Sequence, residues 1–429
     1  MKKLSNNLSQ TLYSFAGQIS FLLSNFILFL YLARNYDQEV FGHWAIFITT
    51  VSILDGIRQG FVQNGLSRLI IRYPDQPEIR STALLLNYSI VLATSLFLMG
   101  LAQFSGSVIS GLYLLGYKVL IVLATLQYLN SVYQANRQFK KYFISNLLYL
   151  ISFSLALALF LTWAGQPELN QLINLMFISI VPSFIYALTQ GQIKLMRPAR
   201  ATLSELFHFG KYSSGTNLLS LLFQRVDLLM ISYFLDPTAV AIFHFANKII
   251  NYTELPLQAL SQVIYPRIAA SYLQNEGTQL NKTYGNSILW LLAFIIPMSM
   301  AVIIFNKTII YLMGSEEYLA ASTIIILLSV ATLFKPWGRV FGLTLDAIGK
   351  PKMNFYMLAF SLVVNVLFNW MLIPSFGING AALATSTSII LTIIIGQLNI
   401  KRTLAFNPVQ EVMSSFKNVY QLNIAKKWN

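Results

Sequence analysis

Apolar stretches about twenty residues long, the span a bilayer core requires, recur along nearly the whole chain with short polar turns between them. They predict six helical spans in the first half, at 11–33, 40–61, 82–102, 111–133, 143–163 and 172–189. Six more follow at 213–235, 239–263, 288–305, 319–341, 355–372 and 378–398. The stretch 209–267 repeats the outline of the chain's start. Its polar, basic lead (Lys211, Ser213, Ser214, Thr216, Asn217) opens an apolar run to Leu235, a turn at Asp236-Pro237 and a second apolar run to Pro266. At the N-terminus Lys2 and Lys3 lead into a run to Ala33, a turn at Asp37 and a run from Val40, and aligning Asp236 with Asp37 places Ala241 on Gly42.

Six spans per half is an even number, so both halves enter the membrane in the same direction. That predicts parallel repeats about an axis along the membrane normal, around a central cavity. The expected organisation is an N-terminal six-helix bundle at 1–191, a basic cytoplasmic linker with Pro198 at 192–211 and a C-terminal six-helix bundle at 212–400. The basic tail at 401–429 places Val409, Met413, Phe416 and Tyr420 at helical spacing beside Lys417 and Lys426, which predicts a short helix on the inner leaflet.

Charge tests the count. With the N-terminus inside, the inner segments carry nearly all the Lys and Arg, while the outer loops hold only Arg34 and Lys307 beside Asp37, Glu39, Glu168, Asp236, Glu316 and Glu317. The positive-inside rule is obeyed along the whole chain, which predicts twelve spans with both termini cytoplasmic. Met1-Lys2-Lys3 resembles a signal-peptide start, but the apolar run behind it is too long for that role and reads as a first transmembrane helix. Composition agrees: the chain is 56% hydrophobic and 10% charged, against roughly 25% charged in soluble domains. The fold class is an all-α polytopic membrane protein. Zero cysteines exclude disulfides, thiolate metal sites and cysteine nucleophiles. The net charge of +14 reflects membrane orientation rather than nucleic-acid binding.

Nine ionisable residues lie inside spans: Asp55, Arg58, Lys118, Arg225, Asp227, Lys248, Glu254, Lys335 and Arg339. Each costs about 2.5–3.5 kcal/mol at mid-membrane on insertion scales, so each is expected to face a partner or a cavity. Asp55 and Arg58, three apart near the inner end of their span, suit a structural ion pair. Arg225 and Asp227 are two apart, about 200° around a helix, and must look to different neighbours. Arg225 then faces the cavity as an anion site or pairs with another helix, and Lys248 has the same two options. Lys335 and Arg339 share one face beside the helix break at Pro336, where two cations would suit a phosphate or would snorkel inward. Glu254, two residues before a kink at Pro256, is a coupling group or a lysine's counter-ion. Lys118 lies in the outer part of its span. Six basic groups against three acidic ones predict a cavity of net positive potential. Ser213, Ser214, Asn217, Asn365 and Asn369 read as helix-packing residues, and His43, His208 and His244 lack metal-ligand spacing.

The segment Ala347-Ile-Gly-Lys-Pro-Lys352, an apolar span with Asn365 and Asn369, and Leu372-Ile-Pro-Ser-Phe-Gly-Ile-Asn-Gly-Ala-Ala-Leu-Ala-Thr385 resemble the last two spans of the Wzx-type polysaccharide flippases in the MATE-like exporter superfamily. Pro374 and Gly377 would turn the chain outside, and Gly380, Ala381, Ala384 and Thr385 would permit close helix contact. The resemblance extends to Phe41-Gly42 and to the restart at 209–266, where Asp227 sits mid-span and Pro266 ends the eighth span. It implies a lipid-linked glycan on undecaprenyl pyrophosphate as cargo, two six-helix bundles alternating in access, a basic cavity and a bacterial plasma (inner) membrane. Polysaccharide polymerase machinery would be a partner. The family shares no fixed cargo motif. Arg225, Lys248, Lys335, Arg339 and Lys118 are therefore proposed to bind substrate on depth and sign alone. Twelve spans suit O-unit flippases better than lipid II flippases, which carry two more.

No cofactor is expected, and coupling to H+ or Na+ would fall to Asp55, Asp227 or Glu254, with Arg58 as an ion-pair partner. The competing readings are a MATE-like, cation-coupled exporter of small molecules, disfavoured by the positive cavity, and a membrane glycan polymerase or ligase, disfavoured by short outer loops.

Overall fold

The computed structural model describes residues 2–73, 76–193, 196–273, 277–404 and 407–427, and all regular structure among them is helical. The chain divides into two compact units, Met1–Arg225 and Val226–Asn429. Eight helices among the described residues are long and apolar enough to cross a membrane, or nine if a pair bent by 44° is one span. The predicted stretches 213–235 and 239–263 also fall on helix, although not among those eight or nine.

The first unit holds α1 (Lys2–Asn35), α2 (Gln38–Arg58), α3 (Asn64–Arg72), α4 (Glu78–Ala102), α5 (Ser107–Ala135), α6 (Phe139–Ala164), α7 (Leu169–Ser179), α8 (Val181–Thr189) and most of α9 (Arg200–Phe234). Helix α5 is its centre and packs on α2, α3, α4, α6 and α7. It is apolar on most of its circumference, with Val119, Leu120, Val122, Ala124, Leu126, Leu129 and Val132 all buried, as a helix surrounded by others must be. Between α2 and α3 the chain makes a π turn, Gln59–Gln63. A Cβ on Gly60 in that turn would lie 2.2 Å from Ser214 Cα on α9, so only glycine lets the two backbones meet. There Ser214 Oγ donates to Ile57 O at 2.9 Å, and Leu206 of α9 is buried in one cluster with Val62 and Leu66. The start of α9 thus packs in the first unit, which runs to Arg225.

The second unit holds the end of α9 and α10 (Pro237–Thr253), α11 (Leu255–Leu273), α12 (Gly277–Ile304), α13 (Asn306–Met313), α14 (Ala321–Thr332), α15 (Lys335–Ala347), α16 (Pro351–Leu404) and α17 (Pro408–Lys427). Asp236 caps α10, its Oδ1 accepting from Ala239 N at 2.7 Å with Pro237 in the first turn. The predicted eighth span is two helices, parted at Glu254 just before Pro256. Helix α11 then runs through Pro266, which was expected to end it. Proline removes one helical hydrogen bond, and packing on α12 and α15 holds the turn around it. The predicted tenth span is the bent pair, broken ahead of Pro336. The last two predicted spans lie on α16, interrupted at Gly377, whose φ of 57° is a left-handed conformation that glycine adopts readily. A Cβ on Gly380 would come 2.1 Å from Leu372 O, so the chain folds tightly around this break. Helix α17 occupies the predicted tail and packs on α12, with Val409, Met413 and Phe416 exposed. Tyr420 and Lys426 lie outside the described side chains.

Candidate functional site

In the first unit Arg58 is locked from three sides. Its Nε donates to Asp55 Oδ1 at 2.7 Å, its Nη1 to Asn87 Oδ1 at 2.7 Å and its Nη2 to Gln127 Oε1 at 2.5 Å. Asp55 Oδ2 accepts from Gln59 Nε2 at 2.9 Å and from Gln127 Nε2 at 3.3 Å. The two side chains are 1% and 2% exposed. Both charges are desolvated, paired and saturated with hydrogen bonds, which is what a buried ion pair needs to persist. This geometry is a structural clamp joining α2, α4 and α5. Asn87 and Gln127, which no local pattern along the chain marks, complete it. Lys118 of α5, half-buried, donates from Nζ to Asn174 Oδ1 of α7 at 2.5 Å.

In the second unit the two proline-marked breaks meet. Lys335 Nζ donates to Glu254 Oε1, and Thr332 Oγ1 reaches the same oxygen at 3.5 Å. The predicted two-cation face is thereby divided: Lys335 is neutralised by Glu254, and Arg339 donates from Nε to Ser261 Oγ at 2.7 Å. Glu254 and Lys335 thus form an ion pair between the two breaks.

Asp227 on α9 is buried at 3% exposure, and among the described residues no cation lies within ion-pair distance. Its Oδ1 accepts from Asn369 Nδ2 of α16 at 2.7 Å. That amide also contacts Asn365 O and Oδ1, both at 3.0 Å, and Asn365 Nδ2 faces Thr385 Oγ1 and Ser388 Oγ at 3.4 Å. The asparagines read as packing residues are therefore the carboxylate's neighbours. Asn369 Oδ1 is buried without a hydrogen-bond partner among the described residues. A carboxylate, amide oxygens and a hydroxyl are hard donors of the kind that hold a small cation, and the carboxylate can instead take a proton. No group of three His, Cys, Asp or Glu that could hold a metal ion occurs among the described residues.

Arg225 lies two residues before Asp227 on α9. Arg225 is half-buried, and its buried Nε has no hydrogen-bond partner among the described residues, so this guanidinium retains a donor for another group. Lys248 is half-buried on α10. Ion pairing moves no net charge, and the six basic and three acidic residues inside the predicted spans still sum to +3.

Long apolar helices carrying charged side chains within them define a multi-pass integral membrane protein, and the comparisons agree. A solved inward-facing MATE-family multidrug resistance transporter of the MOP superfamily matches with a TM-score of 0.75 over 90% of this chain and 94% of that one, at 13% identity. The fold is MATE-like. The chain belongs to the polysaccharide biosynthesis protein family, whose sequence profile matches residues 8–272, and residues 213–371 match the MatE profile. A Haloferax volcanii protein assigned as the low-salt glycan biosynthesis flippase Agl15 is 26% identical over 53% of this chain, which spans only 50% of that relative. A Shigella flexneri protein assigned to O-antigen transport is 22% identical over 84% of this chain and 90% of its own length.

Proposed function

We infer that the protein is a flippase moving undecaprenyl-pyrophosphate-linked oligosaccharide from the inner to the outer leaflet of a bacterial plasma (inner) membrane, for assembly of O-antigen, capsule or exopolysaccharide. The observation that carries this reading is the net positive intramembrane charge on a MATE-like fold, because a pyrophosphate needs cationic groups where water is scarce. The Haloferax volcanii and Shigella flexneri relatives support it through their glycan flippase and O-antigen transport assignments. Arg225, with a buried unpartnered donor, is the leading pyrophosphate contact, with Arg339, Lys248, Lys118 and Lys335 as further cations. The reading makes the protein a transporter, with polysaccharide polymerase machinery as a downstream partner.

Proteoliposomes holding a fluorescent undecaprenyl-pyrophosphate glycan test this directly. The wild type is expected to flip it, and Arg225→Ala to slow flipping by about tenfold or more, the loss of one charge-assisted hydrogen bond. Unchanged flipping in Arg225→Ala would remove that residue from the site. Absence of flipping by well-folded wild type with several glycans would sink the function and favour export of small molecules, a reading the MatE match keeps open. That alternative requires an acidic excess for cationic drugs, the reverse of the charge balance here.

The proposed topology has twelve spans and both termini cytoplasmic, supported by the basic inner and acidic outer segments. A phosphatase reporter fused after Gly314 is expected to be active outside, and cytoplasmic activity there would overturn the topology. Coupling to H+ or Na+ is assigned to Asp227, since Asp55 and Glu254 are already neutralised by Arg58 and Lys335.

A further inference from the structure

The first three turns of α9 have two unlike faces. Thr202, Leu206, Gly210 and Ser214, four residues apart, are buried within the first unit. Arg200, Leu203, Ser204, Phe207, His208 and Lys211 follow the i, i+3, i+4, i+7, i+8, i+11 spacing of the opposite face. All six are exposed, Leu203 at 41% and Phe207 at 57%. With Leu86 of α4 they line a groove of about 500 Å³. Arg200 and Lys211 are roughly 16 Å apart along the helix at its 1.5 Å rise per residue. The groove therefore presents cations at both ends and apolar side chains between them.

This face is held in place. Met196 N donates to Ser81 Oγ at 3.0 Å and Ala199 N to Thr82 Oγ1 at 3.1 Å, strapping the linker to the start of α4 and fixing Arg200. The one carboxylate on this stretch, Glu205, is engaged on a neighbouring face, where Arg72 Nη1 donates to its Oε1 at 3.4 Å. Exposed Met196 and Arg197 extend the same mixture upstream.

We propose that this groove is a binding site for an anionic phospholipid of the inner leaflet, with the phosphate held at one end by Arg200 or Lys211 and one acyl chain lying against Leu203, Phe207 and Leu86. Juxtamembrane cations attract anionic headgroups, and an exposed apolar strip between them favours a lipid over a soluble phosphate. A zwitterionic lipid gains no comparable attraction. The site takes its leaflet from the proposed topology but is independent of the cargo, since it rests on neither Arg225 nor Asp227.

Native mass spectrometry of the full-length protein, delipidated and offered equal phosphatidylglycerol and phosphatidylcholine of matched chains, tests the assignment. The wild type is expected to retain phosphatidylglycerol with about tenfold preference. Arg200→Gln/Lys211→Gln should abolish the preference, while Arg200→Lys/Lys211→Arg should keep it and so exclude a folding defect. Leu203→Ser/Phe207→Ser should weaken retention of the lipid, and Lys350→Gln/Lys352→Gln, in another inner segment, should leave it unchanged. Preference surviving in Arg200→Gln/Lys211→Gln, or lost only in Lys350→Gln/Lys352→Gln, would overturn the site. Displacement by millimolar inorganic phosphate would show a simple anion site and overturn the lipid. Preferential displacement by a polyprenyl pyrophosphate would reassign the groove to the transported substrate.

Discussion

Arg58→Ala is expected to destabilise the protein by about 3–5 kcal/mol, the cost of stranding a buried charge by removing its partner. Asp55 would remain buried with only the amides of Gln59 and Gln127 as donors. Asn87 Oδ1 and Gln127 Oε1 would lose the guanidinium that satisfies them. Arg58 is among the largest fully buried side chains of the chain, so the groups it leaves lie away from bulk solvent. Unfolding of the detergent-solubilised variant against wild type measures the loss. Asp55→Leu/Arg58→Met, which removes both charges together, should recover most of it, because a buried pair often contributes little beyond its apolar replacement. A single variant as stable as wild type would refute the clamp.

Asp227→Asn should behave in the opposite way, with stability nearly kept and gradient-driven flipping reduced about tenfold or more. The amide oxygen that replaces the carboxylate can still accept from Asn369 Nδ2, so the hydrogen bond at 2.7 Å has a neutral substitute. The lost feature is a carboxylate able to take a proton or a cation between its hard oxygen neighbours. Asp227→Ala instead strands the Asn369 amide and should cost about 1–3 kcal/mol of stability as well. Flipping rates with imposed Na+ or H+ gradients, beside melting curves, separate the two effects. If Asp227→Asn responds to both gradients as wild type does, Asp227 is not the coupling group. A variant that fails to fold would instead make the carboxylate structural.

Much of this was readable from local signals. The break at Glu254 follows from Pro256, the bend ahead of Lys335 from Pro336, and the interruption of α16 from Gly377. Each acts within a turn of its own position. The Asp55–Arg58 pair was legible because residues three apart share a helical face. The partners that give these residues their roles were not legible. Lys335 meets a carboxylate 81 residues away, Arg58 meets Gln127 69 residues away, and Asp227 meets Asn369 across 142 residues.

The reason is the solvent. In water, an apolar stripe marks the buried face of a helix, and its rotation can be read from the pattern. In lipid both faces are apolar: on α4, Leu92 and Leu96 are 62% and 60% exposed while Val91 and Leu98 are 5% and 0%. Sequence alone therefore determined the membrane class, the helical stretches, the breaks at Glu254, Pro336 and Gly377, and the sign of the intramembrane charge, all set by local composition and chain stiffness. Tertiary structure decided which charges cancel, which asparagines serve Asp227 and to which unit the start of α9 belongs. Those depend on helix rotation and register, which close contacts such as Gly60 against Ser214 select and a uniformly apolar pattern does not encode.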